Sequence, residues 1–131
     1  MLLPFITRII DSIVNCFGTI RTVKSFLPIF KEQAFQSSHP DARIVNVVSM
    51  AGLISTTGAC AYSSSKHAAE AFTSCLRLEM QAFNVPVISV NPSWHQTPLS
   101  DSTGQLLDSI WNRLTPETRE EYGEGTFRFI L

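Results

Sequence analysis

The sequence predicts an α/β fold in which helices cover a doubly wound parallel sheet. Helix-type and strand-type apolar patterns alternate along the chain, and the strand-type runs are almost continuously apolar, as in strands buried on both faces. The order helix, strand, helix, strand is typical of this class and requires right-handed crossovers. The chain has 131 residues, 44% hydrophobic and 16% charged, which is the composition of a globular domain with one small core.

The first half of the chain contains a long helix and a strand. Apolar residues recur at three- and four-residue spacing over 5–30, which predicts one long helix with a bend near Gly18 or Pro28. The polar stretch 36–41 predicts a surface loop. The run 43–48 is rich in Ile and Val and predicts a strand covered on both faces.

The second half repeats this pattern and then becomes less regular. A loop rich in Gly, Ser and Thr over 50–61 precedes a helix predicted over 62–83, and a second buried strand is predicted over 85–90. The spacing of apolar residues over 105–114 predicts a short amphipathic helix. Thr115 and the proline after it have the residue types favoured at the start of a further short helix.

Charge and composition argue against several classes of function. Ten Lys and Arg against eleven Asp and Glu leave a net charge of -1, so nucleic acid is not an expected partner. Three cysteines without metal-type spacing indicate reduced thiols, and His67 and His95 have no second ligand nearby, so no metal site is predicted. No signal peptide or spanning segment is recognisable, and we expect a cytoplasmic protein or one associated with an intracellular membrane.

The residues that indicate chemistry are Ser49, Tyr62 and Lys66. Ser49 ends the first predicted strand, at the edge where open parallel sheets bind ligands. Tyr62 and Lys66 are four residues apart and share a helix face, and a nearby ammonium group favours the phenolate form of a tyrosine. Such a tyrosine can exchange a proton with a substrate while a serine donates a hydrogen bond to its oxygen. The Tyr–Lys spacing alone also occurs by chance on many helices.

The wider context of these residues is more specific. The run IVNVVSMAG at 44–52 and the motif YSSSK at 62–66, which starts thirteen positions after Ser49, resemble the short-chain dehydrogenase/reductase family. The resemblance covers roughly 6–122. It implies that Asn15 completes a catalytic tetrad with Ser49, Tyr62 and Lys66, although an asparagine that bonds locally inside a helix is the simpler alternative.

The resemblance also implies an oxidoreductase that uses NAD or NADP to interconvert a secondary alcohol and a carbonyl. The chain is most similar to the branch that acts on retinoids, steroids and hydroxybutyrate, which implies a small apolar substrate. Trp111 is most simply part of the packed face of a helix, and the resemblance implies a lid over the substrate as the alternative. Ser93 stands where the family has a glycine, and its side chain is expected to weaken cofactor binding. The residues implicated in cofactor binding are Asn15, Tyr62, Lys66, Pro92, Ser93 and Thr97.

The family begins with a strand, a glycine-rich turn and a helix that receives the pyrophosphate, but the sequence contains no GxxxGxG or GxGxxG. We therefore expect 1–131 to be a partial domain, the C-terminal part of a Rossmann-like sheet without its N-terminal strands, and to be inactive alone. An open strand edge and two apolar helix faces predict self-association. The resemblance implies a homodimer through the long helix and the Tyr62 helix. The alternative is a non-catalytic fragment that acts as an interaction module.

Overall fold

The computed structural model describes residues 9–36, 42–95 and 103–125. These residues belong to two compact units. The larger unit contains the described residues up to Ser93 and includes the sheet and the predicted catalytic residues, whereas the smaller unit begins at Trp94.

The long N-terminal helix changes its winding along its length. It begins as α1 (Ile9–Asp11), continues as a π-helical segment (Ser12–Gly18) and ends as α2 (Thr19–Gln36). The winding changes at Gly18, one of the two positions where the sequence predicts a bend, while Pro28 lies inside α2. π-helical turns are uncommon and are frequently found at functional sites, and this one contains Asn15.

Two parallel strands follow the long helix and are connected by a crossover helix. Strand β1 (Ile44–Val47) pairs with β2 (Val87–Val90), with Ile44 opposite Val87. Between them, α3 (Cys60–Met80) follows a short 3-10 turn and loop. The predicted α/β class, with a parallel sheet and a helical crossover, is confirmed.

Only one face of this two-stranded sheet is buried. Burial alternates along β1, where Ile44 and Asn46 are buried while Val45 and Val47 remain 48% and 67% exposed. The expectation that this strand is covered on both faces is therefore wrong for the described residues. The near-continuous apolarity of β1 instead gives the described sheet an exposed apolar face.

The buried face packs against α2 and α3. Val, Ile, Leu and Met side chains of this core each contribute roughly 1.5–3 kcal/mol to the free energy of unfolding when fully buried. A polar pair lies beside them, because Asn46 Nδ2 donates a hydrogen bond of 2.9 Å to Thr73 Oγ1, which donates in turn to the Ala69 carbonyl at 2.8 Å. This pair joins β1 to α3. The core residues are Val23, Ile44, Leu76, Met80, Val85 and Val87.

The smaller unit contains two helices, α4 (Thr103–Arg113) and α5 (Pro116–Tyr122). The prediction that Thr115 starts a helix is confirmed, since its side-chain oxygen accepts a hydrogen bond from the Thr118 amide at 3.3 Å. Arg119 joins the two helices by donating to the Trp111 carbonyl at 3.0 Å. No helix within the described residues has the length and apolarity needed to cross a bilayer.

Candidate functional site

Ser49 lies at the end of β1, where the strand turns into a short 3-10 helix (Met50–Gly52). Its hydroxyl oxygen accepts a hydrogen bond of 3.1 Å from the Ala51 amide, and its own amide donates to Asn91 Oδ1 at 3.2 Å. The hydroxyl proton of Ser49 has no acceptor among the described residues. The side chain can therefore accept a structural bond and still donate one to a substrate oxygen.

Tyr62 and Lys66 lie on the first turns of α3, on one face of the helix as predicted. The Lys66 Nζ atom lies 5.7 Å from the centroid of the Tyr62 ring, within the range of a cation–π contact. The Tyr62 side chain is 37% exposed, so a ligand can reach it. Within the described part of the chain Lys66 forms no ion pair, which leaves its ammonium donors available for a phenolate oxygen or a ligand hydroxyl.

The Asn15 side chain bonds to α3 rather than within its own helix. Its Nδ2 donates to Ser65 Oγ at 3.0 Å, and the Ser65 hydroxyl donates to the Tyr62 carbonyl at 2.7 Å. Ser65 is buried, so this bond forms in the packed interface between the π-helical segment and α3. The side chain of Asn15 is therefore linked to the backbone of Tyr62 through one hydroxyl group.

Gly52 allows the Ser49 turn to approach α3 closely. A Cβ atom at Gly52 would lie 2.9 Å from the Lys66 carbonyl oxygen and 3.2 Å from Val48 Cγ1. Sequence reasoning missed this role. The available signal was a glycine three residues after Ser49, at a position where a tight turn must pass a helix.

A polar cluster at the end of β2 was also missed. Asn91 Nδ2 donates to Glu70 Oε2 at 3.2 Å and to Ser89 Oγ at 3.3 Å, and the Ser89 hydroxyl donates to the same Glu70 oxygen. Because Asn91 Oδ1 accepts from the Ser49 amide, the cluster connects α3 to the candidate site. The available signal was an asparagine directly after a strand that neighbours the Ser49 strand.

The remaining sequence-predicted residues lie around this centre or outside it. The Pro92 carbonyl accepts a hydrogen bond of 3.0 Å from the Met50 amide, which places Pro92 beside the Ser49 turn. Ser93 follows it and is exposed, while Thr97 lies outside the described residues. His67 Nδ1 lies 2.9 Å from the Ser63 carbonyl in its own helix.

Comparisons with known proteins agree with this geometry. A family model described as short chain dehydrogenase matches residues 6–107. The chain is 37% identical over 113 residues to 3beta-hydroxysteroid dehydrogenase dhs-16 of Caenorhabditis elegans, covering 85% of this chain and 27% of that protein. It is 33% identical over 118 residues to the mitochondrial D-beta-hydroxybutyrate dehydrogenase of Rattus norvegicus, covering 87% of this chain and 32% of that protein.

A solved structure gives the same result. A short-chain dehydrogenase from Streptomyces avermitilis superimposes with a TM-score of 0.55 and 31% identity, over 63% of this chain and 28% of that one. Dehydrogenase/reductase SDR family member 9 of Bos taurus is 37% identical over 114 residues, covering 86% of this chain and 33% of that protein. The chain thus spans about a third or less of these relatives.

Proposed function

The chain belongs to the short-chain dehydrogenase family, and from this premise we propose that it carries the catalytic part of an NAD(P)-dependent oxidoreductase. The reaction interconverts a secondary alcohol and a carbonyl. The observation that carries the proposal is the position of the Lys66 ammonium, 5.7 Å from the centroid of the Tyr62 ring on the first turns of α3. In this proposal, 1–131 is a partial short-chain dehydrogenase domain.

Each residue of the site has a defined part in proton transfer. In the reducing direction the Tyr62 hydroxyl gives its proton to the substrate oxygen, and in the oxidising direction its phenolate takes that proton back. Lys66 stabilises the phenolate by its positive charge. Ser49 donates its hydroxyl proton in a hydrogen bond to the substrate oxygen as negative charge develops there.

Asn15 supports the proton-transferring tyrosine through Ser65, which lies three residues after it on α3. Its amide holds the Ser65 hydroxyl, which in turn holds the carbonyl of Tyr62. We assign Asn15 a positioning role in this reaction. It keeps the first turn of α3 packed against the π-helical segment.

The described residues fit the reactive end of a nicotinamide cofactor. When bound, the nicotinamide supplies or accepts the hydride. Lys66 has the ammonium donors to hold ribose hydroxyls, and Pro92 and Ser93 leave the sheet next to Ser49. The 131-residue sequence contains no glycine-rich turn for the pyrophosphate, so this chain alone is expected to bind the cofactor weakly and to turn over little or no substrate.

The relatives support a class of substrate without naming one. Among them are proteins named for 3beta-hydroxysteroids and for D-beta-hydroxybutyrate. Both names describe secondary alcohols, and we propose that this site takes a small, largely apolar alcohol or the matching ketone. An intracellular location is part of the same proposal.

A second candidate function is that of an interaction module. The exposed apolar residues Val14 and Phe17 on the long helix are 62% and 53% exposed, and Val45 and Val47 form an open apolar sheet face. Faces of this kind are used for association. Under this reading the chain pairs with a second copy through the long helix and α3, without catalysis.

The proposed catalytic role is tested by titrating NADH and NADPH into the chain and recording nicotinamide fluorescence. Binding is expected to be weak, in the millimolar range, and to be lost in Lys66→Ala. Lys31→Ala is the matched control, because Lys31 also lies over an aromatic ring, that of Phe83 at 4.7 Å. Binding that disappears equally in both variants, or that is absent from the folded parent chain, would favour the interaction module.

A further inference from the structure

A continuous hydrogen-bonded path runs from α3 to the backbone of Ser49. Glu70 Oε2 accepts from Ser89 Oγ and, at 3.2 Å, from Asn91 Nδ2. The Asn91 Nδ2 group also contacts Ser89 Oγ at 3.3 Å. The other end of the same amide, Asn91 Oδ1, accepts from the Ser49 amide at 3.2 Å.

The charge of Glu70 determines which way the Asn91 amide points. A carboxylate only accepts hydrogen bonds, so the NH2 group of Asn91 faces it and the carbonyl oxygen faces the other way. That oxygen is then available to the Ser49 amide. Removing the acceptor at Glu70 removes the stronger, charged partner of this NH2 group and leaves only the Ser89 hydroxyl among the described residues.

The path joins the two halves of the candidate site. Glu70 lies one helical turn after Lys66 on α3, and Ser49 lies at the end of β1. Asn91 and Ser89 lie at the end of the neighbouring strand. The distance between Ser49 and the helix face that carries Tyr62 and Lys66 therefore depends on these side-chain hydrogen bonds as well as on the packing of the core.

We propose that Glu70 and Asn91 are positioning residues of this site. Glu70 orients the Asn91 amide, and Asn91 holds the backbone of Ser49 in register with Tyr62 and Lys66. The catalytic meaning of this inference rests on the proposed oxidoreductase function. The effect on the Ser49 amide does not depend on that function and is measured without cofactor or substrate.

The test uses a pair of substitutions that exchange donor and acceptor. In Asn91→Asp the donor at position 91 is lost and two carboxylates face each other, so their repulsion turns the side chain and disrupts the bond to Ser49. In Glu70→Gln the new amide can still accept from Asn91. The double variant combines Glu70→Gln with Asn91→Asp. The amide introduced on α3 then donates to the carboxylate introduced after β2, and the second oxygen of that carboxylate again accepts from the Ser49 amide.

The readout is the Ser49 amide resonance of the folded chain, with its hydrogen exchange rate. Asn91→Asp is expected to shift the resonance and to raise the exchange rate about ten-fold, while the double variant returns both towards the parent values. Asn112→Asp, at an exposed position of α4, is the control for added charge. A contact that acted only on global stability would change the free energy of unfolding in these variants and leave the Ser49 amide resonance of the folded chain in place.

A Ser49 resonance unchanged in folded Asn91→Asp, or no recovery in the double variant, would overturn the inference. If Asn91→Asp does not fold, Glu70→Ala gives the same decision, because it leaves Asn91 intact and removes the carboxylate acceptor, so that only the Ser89 hydroxyl faces the Asn91 NH2 group among the described residues. An unchanged Ser49 amide in Glu70→Ala then overturns the inference. Failure of nicotinamide binding would overturn the proposed function and leave this result standing.

Discussion

Gly52 lies so close to the backbone of Lys66 that a Cβ atom on it would come within 2.9 Å of the Lys66 carbonyl oxygen. The contact is backbone to backbone, so no flexible side chain can move aside. We predict that Gly52→Ala destabilises the chain by about 1–3 kcal/mol, because the Ser49 turn must move away from α3. Denaturant unfolding measures this loss.

The matched control for that substitution is Gly125→Ala. A Cβ atom at Gly125 meets nothing within 4 Å. Its effect on the free energy of unfolding is expected to stay within about 0.5 kcal/mol. Equal effects of the two substitutions would show that the close approach at Gly52 does not hold the turn.

The buried pair between Asn46 and Thr73 gives a second prediction. Thr73→Val keeps the shape of the side chain but removes the only hydroxyl that Asn46 Nδ2 contacts among the described residues. An unsatisfied buried amide costs about 1–3 kcal/mol, and we expect a loss of that size in denaturant unfolding. The control is Thr22→Val, since the exposed Thr22 hydroxyl donates only to the Gly18 carbonyl of its own helix. A loss at Thr22 equal to that at Thr73 would contradict the assignment.

The exposed sheet face predicts self-association. Val47→Lys places a charge on this face and is expected to lower the apparent molecular mass in sedimentation experiments at high protein concentration. Leu78→Lys is the control variant, because Leu78 is also 67% exposed but lies on α3, whereas Val47 lies on β1. If only Leu78→Lys disperses the protein, association runs through α3, as in the interaction-module candidate, and the prediction for the sheet face is wrong.

The first turn of α5 is expected to weaken in acid. Hydrogen bonding to its own backbone amide and to the Thr115 side chain lowers the pKa of Glu117 below its usual value. A lowered pKa means that the carboxylate stabilises the folded helix above the ordinary Glu pKa and that this stabilisation is lost as the pH falls through the lowered value. The Thr118 amide resonance should therefore move at low pH in the parent chain and much less in Glu117→Gln. The same movement in both would refute this role.

Local patterns in the sequence predicted the helices and strands and the contact between Lys66 and Tyr62. The four-residue spacing of Tyr62 and Lys66 predicted their shared helix face, because helix geometry alone brings such residues together, while their connection with Ser49 came from the resemblance to a family. Helix and strand ends were less predictable. The helix predicted to end at Phe30 continues to Gln36, over residues that include good helix formers, and the crossover helix begins at Cys60, earlier than predicted.

The supporting contacts could not be predicted, because they join residues far apart in the sequence. The bond from Asn15 to Ser65 depends on how the π-helical segment packs on α3, and the bond from Asn91 to Ser49 depends on the strand register. Neither follows from composition or spacing. The exposed face of β1 was mispredicted for a related reason, since an apolar run shows that a strand can be covered on both faces without showing what covers it.

The proposed nicotinamide site is tested most directly by comparing NADH with reduced nicotinamide mononucleotide, which lacks the adenosine phosphate half. We predict that the chain binds both weakly, with dissociation constants within about ten-fold of each other, and that Lys66→Ala abolishes binding of both. Such a result means that the site holds the reactive end of the cofactor and little else. Much tighter binding of NADH would contradict the expected weak binding and inactivity, and no binding of either compound by the folded chain would contradict the assignment of Tyr62, Lys66 and Ser49 as a nicotinamide site.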